Sequence, residues 1–380
     1  MRQEIRIVVR NVAIVLAIVA VGLLWSSPGY AFLHWWECDG EPITWDSNPD
    51  RLRASDDSFP PGNAFRAALG NVVDRFNRNP SNFNFDLRYD ERRVRVGGAQ
   101  SEVWFTDDPD LHYGYAAMTY PVATCRELRT MDIVFNVNEV WTSGTDQAAN
   151  EKYGGSAMSF QTVAMHELGH AMGLNHEGDE YNVMGRGREH VHANCSQARA
   201  YLGEDASDGA VHLYGANPTA GEDVGVVHWK WLSRVEFGDA DFSDHTRTRI
   251  HPVSEPIIVW YEDDEPNYLL RNGQTIDVEF TFENNGGSRQ AYVAVGFYLS
   301  SNDCITDWFD RRIGGFAADL GRNQVWTTTR RITLPDDLEA GGRQYYLGVI
   351  VDETDALDEF DESNNATYVA RFYINPVPLE

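Results

Sequence analysis

The stretch HELGHAMGLNH, His166 to His176, places three histidines and a glutamate within eleven residues of a chain that has eleven histidines in all. Residues four apart on a helix share a face, with Cβ atoms about 5–6 Å apart. On a helix, His166 and His170 can therefore grip one metal ion from successive turns. Gly173 admits a sharp turn, because glycine adopts positive φ without steric cost. That turn can bring His176 to the same ion. Zinc suits imidazole, and three protein ligands leave a position open for water. Glu167, beside the first ligand, need not ligate. It can take a proton from a water whose pKa the ion lowers to about 7. The simpler alternative is a helix with incidental histidines, and the rest of the chain bears on that choice.

These residues need a helix to carry them. SAMSFQTVAMHELGHAMG, Ser156 to Gly173, reads as one, with Ser156 as N-cap and Gly173 as stop. FRAALGNVVDRF has helical spacing, with Phe65, Leu69, Val72, Val73 and Phe76 on one face. A third helix is expected over Glu204 to Gly215. Ser101 to Thr106 and Met131 to Val137 read as strands. Strands mixed with a few long helices predict an α+β domain over residues 32–215. Beyond it, TIDVEFTFENNGG alternates, with Ile276, Val278, Phe280 and Phe282 facing one way and Asp277, Glu279 and Thr281 the other. AYVAVGFYLS and QYYLGVIVD are similar runs, and Asn-Gly and Gly-Gly turns separate such segments. The pattern predicts an all-β sandwich over residues 223–376. Residues 216–222, within GANPTAGED, have the composition of a linker. No catalytic cluster is legible after it. His228, His245 and His251 are expected to be structural or surface residues, and the second region to be dispensable for chemistry.

The chain has 380 residues and a formal net charge of −27. Such an acidic balance argues against nucleic acid and anionic membrane surfaces as partners. Residues 1–31 read as a secretory signal peptide: Arg2, Arg6 and Arg10 precede the apolar run Val12 to Trp25, and Gly29 and Ala31 suit a cleavage site. Localisation is therefore expected to be secreted and extracellular, with membrane contact only if this segment stays uncleaved. Four cysteines, Cys38, Cys125, Cys195 and Cys304, form no CxxC pair. Export makes disulfides plausible. Three full pairings are open, as is a free cysteine or a bridge joining the two regions.

Gly173 and His176 extend HExxH to HExxHxxGxxH, and Met184 follows in YNVMG. This combination resembles the metzincin zinc peptidases, with Met184 as the Met-turn methionine. The short gap from His176 to Met184 resembles the matrixin branch. The resemblance implies zinc held by His166, His170 and His176, with Glu167 as catalytic base. MDIVFNVNEVW resembles the family's fifth strand. YGYAAMTYP, Tyr113 to Pro121, resembles its fourth, an edge strand that would pair with an extended peptide or protein substrate through Ala116, Ala117, Met118 and Thr119. YLGEDASDGAVHLYG resembles the final helix. The implied fold is an α+β metzincin catalytic domain, with a mixed twisted sheet and three helices, followed by an all-β Ig-like sandwich. Its implied activity is zinc-dependent hydrolysis of peptide bonds in extracellular proteins through a zinc-activated water.

Departures from the family pattern qualify this. Ala117 and Val134 replace histidines of a second, structural zinc, so one catalytic ion is expected. Asn136 and Glu139 stand where calcium carboxylates belong, which keeps calcium only as a secondary candidate. Gly185 follows Met184 instead of Tyr-Pro, which alters the wall of the specificity pocket. The second region resembles CARDB domains, bacterial Ig-like modules, through FTFENNGG and the run to Glu362-Ser363-Asn364-Asn365. Its acidic run Asp352 to Glu362 is expected to be a solvated loop. A cell-surface or matrix ligand would suit such a module. The competing function is an adhesin or binding protein whose peptidase-like domain only docks a partner.

Overall fold

A computed structural model describes residues 33–46, 50–91, 93–178, 181–185, 190–237, 240–263 and 265–375. The expected signal peptide lies outside these. Helix α1, Ala64–Phe76, buries Leu69, Val72, Val73 and Phe76, the face its spacing predicts. Asn63 caps it by accepting from the backbone N–H of Phe65 at 2.7 Å. Five strands form the sheet beneath: β1 Asp50–Ser55, β2 Phe85–Glu91, β3 Ser101–Thr106, β4 Ala117–Ala123 and β5 Leu128–Asn136. They lie in the order β2-β1-β3-β5-β4. All neighbours run parallel except β4, which is antiparallel to β5 and ends the order. Helix α2, Pro109–His112, is a fourth α-helix among the described residues, where three were expected. One turn is too short to leave a periodic signal. It ends in a left-handed Tyr113, so β4 begins at Ala117 rather than at Tyr113. Ala116 still pairs, its carbonyl accepting from the Asn136 N–H at 2.9 Å.

Helix α3, Phe160–Met172, carries the histidine motif. Its cap is Ser159, which accepts from the Thr162 N–H at 3.3 Å, and not Ser156. Met158–Ser159 pairs with Trp141–Thr142 as a short parallel ladder, so the residues before Ser159 are extended. Every residue of α3 is buried. Helix α4, Glu204–Tyr214, ends at Gly215. The mixed α+β character of the chain, few helices and many strands, is as expected.

Besides the two-stranded sheet of Trp229–Phe237 and Ala240–Arg247, the described residues of the C-terminal region form two larger sheets. In one, Thr275–Asn284 pairs with Val224–Val227, Ile250–Pro252 and Val325–Thr333. The other has six strands, ordered Ile258–Glu262, Glu265–Leu270, Ala366–Ile374, Gln344–Val351, Gln290–Ser300 and Arg311–Leu320. Ile276, Val278, Phe280 and Phe282 have no exposed surface and share a core with Val295, Phe297, Leu347 and Phe372 of the second sheet. The opposite face departs from the alternation. Asp277 and Glu279 are part-exposed, but Thr281 and Glu283 are fully buried. Residues near the seam with the first region cover that end of the strand.

That seam is extensive. Tyr153, Tyr181, Val191 and Tyr201 from one side form a core with Val227 and Trp229 from the other. Tyr153 Oη lies 2.9 Å from His228 Nε2. Gln147 Nε2 donates to Tyr368 Oη at 2.5 Å, and Arg322 pairs with Asp208 at 2.5 Å. Cys195–Cys304 bridges the two regions, and Cys38–Cys125 closes the other disulfide. The expected linker is tied down too: Asn217 N–H donates to Pro80 at 2.9 Å, and Glu222 N–H to Asp358 at 3.3 Å. An easily removed second region, as the linker composition suggested, does not fit this burial. The acidic run is likewise not simply solvated. Asp352 and Asp361 are buried, Asp352 accepting from the N–H groups of Ala356 and Leu357 and Asp361 pairing with Arg75 at 3.4 Å. These acids close turns.

Candidate metal centre

Helix α3 aligns His166 and His170, whose ring centroids are 4.6 Å apart. The helix stops at Gly173, which adopts φ 117, and its N–H caps the carbonyls of Gly169 and His170. The reversal returns His176 to the first two. His170 Nε2 and His176 Nε2 are 3.2 Å apart, and one ring nitrogen from each of the three histidines lies within 4.8 Å of the others.

The other ring nitrogens explain the poses. His166 Nδ1 lies 2.7 Å from the Val183 carbonyl, and His170 Nδ1 lies 2.9 Å from the Leu174 carbonyl. A carbonyl only accepts, so each Nδ1 carries the hydrogen and each Nε2 keeps its lone pair. Burial pushes the His170 imidazole down to about 4 against the opposing Leu174 bond. Burial, with His170 beside it, pushes His176 down to about 2. His166 and His170 thus turn Nε2 lone pairs toward the point that His176 also reaches, the donor chemistry that suits zinc.

Met184 lies under this centre. A Cβ on Gly169 would come within 2.4 Å of Met184 Sδ, so the sulfur packs against the helix backbone between the two ligand turns. The adjacent Val183 carbonyl is the one that orients His166. Glu167 is held from the sheet edge. Thr119 Oγ1 donates to Glu167 Oε2 at 2.6 Å. Of the edge-strand residues, Ala117, Met118 and Thr119 are on β4, paired with Phe135, Val134 and Ile133. Ala117 and Val134 are both buried, and their side chains offer no metal ligand. Asn136 Nδ2 is 3.4 Å from Glu139 Oε1, and among the described residues Glu139 joins no cluster of ligand side chains.

Sequence reasoning missed three participants. The Trp35 indole stacks on His170 at 5.0 Å between centroids and donates to Asn175 Oδ1 at 3.0 Å. Asn175 Oδ1 also accepts from the His176 N–H, at 2.8 Å. Thr119 was expected to meet substrate through its backbone, while its side chain orients Glu167. Asn175 stood inside the motif and could have been weighed; Trp35 had no sequence signal.

Residues 68–215 match the family model Peptidase_M10, described as Matrixin. This region is of the matrixin family. The match spans every residue of the centre except Trp35. No curated protein matches the chain. Among solved structures, the C-terminal region resembles CARDB domains. The solution structure of a Pyrococcus furiosus CARDB domain is 18% identical, with 28% of this chain and 85% of that chain covered, at a TM-score of 0.22. A crystal structure of a Pyrococcus furiosus CARDB domain in complex with di-metal ions is 16% identical, with 33% and 88% covered, at 0.22. A Bacillus amyloliquefaciens CBM33 in complex with Cu(I) is 16% identical, with 28% and 55% covered, at 0.17. At these scores the likeness carries no functional argument.

Proposed function

We propose that the chain is a secreted zinc endopeptidase that cleaves extended segments of extracellular proteins. The observation that carries this reading is the convergence of three imidazoles beside Glu167, whose carboxylate is tethered to the edge strand. His166, His170 and His176 would hold the zinc. When bound, the ion would polarise the scissile carbonyl and acidify a water. Glu167 takes the proton from that water and passes it to the leaving amine. Thr119 fixes the carboxylate during both transfers. The substrate lies along β4 by strand addition, which aims its backbone at the centre. No tyrosine or histidine is assigned to the oxyanion.

The matrixin-type region, residues 32–215, is read as the catalytic unit. Residues 223–376 are read as an Ig-like sandwich of CARDB type, supported by two sheets that share one core. Its proposed role is to hold the enzyme near a cell-surface or matrix ligand. An adhesin with an inactive peptidase-like region is the second reading. Glu167 argues against it, because a docking surface has no need of a base. Casein zymography with several substrates, with and without a zinc chelator, separates the two. Chelator-sensitive clearing is expected. A zinc-loaded protein that cuts none of the substrates would favour the adhesin.

A further inference from the structure

The segment that follows the motif helix serves the metal centre at both of its ends. His176 lies at one end, Val183 and Met184 at the other. The Val183 carbonyl orients His166, and Met184 packs under the ligand helix. The Glu177 N–H donates to the Met184 carbonyl at 3.3 Å, which ties the two ends together. A shift of this segment therefore moves both His176 and the carbonyl that orients His166.

The C-terminal region reaches the same segment. Its strands Trp229–Phe237 and Ala240–Arg247 form an antiparallel hairpin in which Trp231 is directly opposite His245. Opposite residues of such a pair lie side by side on one face. Both of these touch the segment. The Trp231 indole N–H donates to the Gly178 carbonyl at 3.1 Å, two residues beyond the third histidine. The His245 ring lies against the buried Tyr181, with centroids 4.6 Å apart. The Tyr181 hydroxyl in turn accepts from the Val191 N–H at 3.2 Å.

A two-stranded ribbon is marginal by itself, so its anchorage decides its pose. This one is anchored at its base. Trp229 is buried, Arg247 pairs with Glu265 at 2.8 Å, and the Thr248 N–H donates to the His228 carbonyl at 2.9 Å. The register shifts between Trp231 and Ser233, so Leu232 is an extra residue on its strand. Such a bulge bends the strand and re-aims the side chain beside it. Core packing does not account for Trp231, whose surface is 40% exposed. Its bond to Gly178 does.

We propose that Trp231 is a positioning residue of the metal centre: through this hairpin, the C-terminal region braces the segment that carries His176. The inference rests on the zinc reading of that centre, and it gives Trp231 no contact with substrate. The C-terminal region then helps to build the centre as well as to hold the enzyme near a ligand. Spacing within the motif could not reveal this, because Trp231 and Gly178 are 53 residues apart.

The test is competition for zinc against a chelator of known affinity, with the full chain. Groups that orient a zinc ligand directly are worth 10–100-fold in metal affinity. Trp231 acts one step further out, so Trp231→Ala should weaken zinc retention by about tenfold, the lower end of that range. Trp231→Phe keeps a ring and removes the N–H, and should lose about threefold, the worth of one neutral hydrogen bond. Leu232→Ala keeps the extra residue and the indole, and should bind zinc like the parent. With cobalt in place of zinc, the visible spectrum reports the geometry of the ligands. It should shift in Trp231→Ala and stay unchanged in Leu232→Ala. Parent-like zinc affinity and cobalt spectrum in Trp231→Ala overturn the inference and leave the zinc reading intact. Equal losses in Trp231→Ala and Leu232→Ala also overturn it, since the effect would then belong to the hairpin in general. A parent that binds no zinc overturns the reading of the centre and this inference with it. Should Trp231→Ala fail to fold, Trp231→Phe decides, and parent-like affinity there overturns the inference.

Discussion

His166 and His170 of the metal centre and His190, buried in the seam beside Glu204 and Glu283, are oriented by one device. Nδ1 donates to a backbone carbonyl, and Nε2 is turned inward. The two clusters differ in how the chain assembles them. The first takes its histidines from a single helix and the turn that follows, so a short local stretch brings them together. The second needs two regions to close on each other. They differ also in enclosure. His176 is only partly buried, whereas His190, Glu204 and Glu283 are completely so. A cluster made locally can stay open to a substrate, while one made by closure is sealed by what makes it. Reaction chemistry is therefore expected at the first alone, and coupling of the regions at the second.

The largest effect should come from Glu167→Gln, which keeps size and polarity and removes basicity. Turnover of a short peptide should fall about 10²–10⁴-fold, with zinc retained and a smaller change in affinity. Stopped assays alongside elemental analysis check both. Turnover within a few-fold of the parent would break the assignment of chemistry to this centre. Next, His176→Ala should weaken zinc retention there by more than about 100-fold, since even second-shell partners of a zinc are worth 10–100-fold. Competition against a chelator of known affinity measures this.

The contrast in assembly also explains what was legible in the sequence. Glu167, His166, His170, Gly173 and His176 lie within one helix and its stop, where spacing converts directly into geometry. The alternation of Ile276 to Phe282 likewise reported a core face. Spacing was silent where a second segment decides. Ser156 looked like a cap, but pairing of Met158–Ser159 with Trp141–Thr142 moved the helix start to Ser159. Thr281 read as solvent-facing until the seam covered it. Gly215 to Asp223 read as a linker from composition, which records nothing of backbone bonds to Pro80 and Asp358. The cysteines left three pairings open because pairing is a statement about distant segments.

Ending the chain near Asn217 tests whether the two regions are separable. The notion of a free catalytic unit predicts a folded, active fragment. The seam predicts otherwise. Removal would uncover Tyr153, Tyr181, Val191 and Tyr201 and leave Glu204 and Asp208 without the neighbours that bury them. Each large apolar side chain returned to water costs about 1.5–3 kcal/mol, against a total stability of about 5–15 kcal/mol. The fragment should therefore unfold at much lower temperature than the parent, or aggregate, in calorimetry. A fragment as stable as the full chain would show the seam to be an incidental contact.

Thr119→Val asks a finer question of the first centre. It removes the hydroxyl that holds Glu167 Oε2 and nearly preserves side-chain volume. Thr119 acts through Glu167, so kcat should fall by roughly 10–100-fold, the worth of one hydrogen bond to a charged group, while KM and zinc content hold. Thr119→Ser should recover most of the loss. Equal defects in the valine and serine variants would assign the effect to packing instead.

The smallest effect concerns the sealed side of the comparison and its response to acid. His192, on the strand Val191–Asn194, is fully buried against the C-terminal region. Burial is the largest influence on its imidazole and pushes it down from 6.5 to about 4. The unfolded chain therefore takes up a proton near pH 6.5, while the folded chain resists until about pH 4. Stability from this group is whole above pH 6.5, is lost as pH falls from there toward 4, and changes no further below. The slope amounts to about 1.4 kcal/mol per pH unit for one group. His192→Gln has nothing to titrate, so its unfolding free energy should fall less steeply across that window, whatever its stability at neutral pH. Denaturant curves for both proteins, taken at half-unit steps under one zinc condition, isolate the difference, because the other histidines contribute equally to each. Parallel lines through the window would mean that His192 meets water in the folded state, and that the seam is less closed than its geometry.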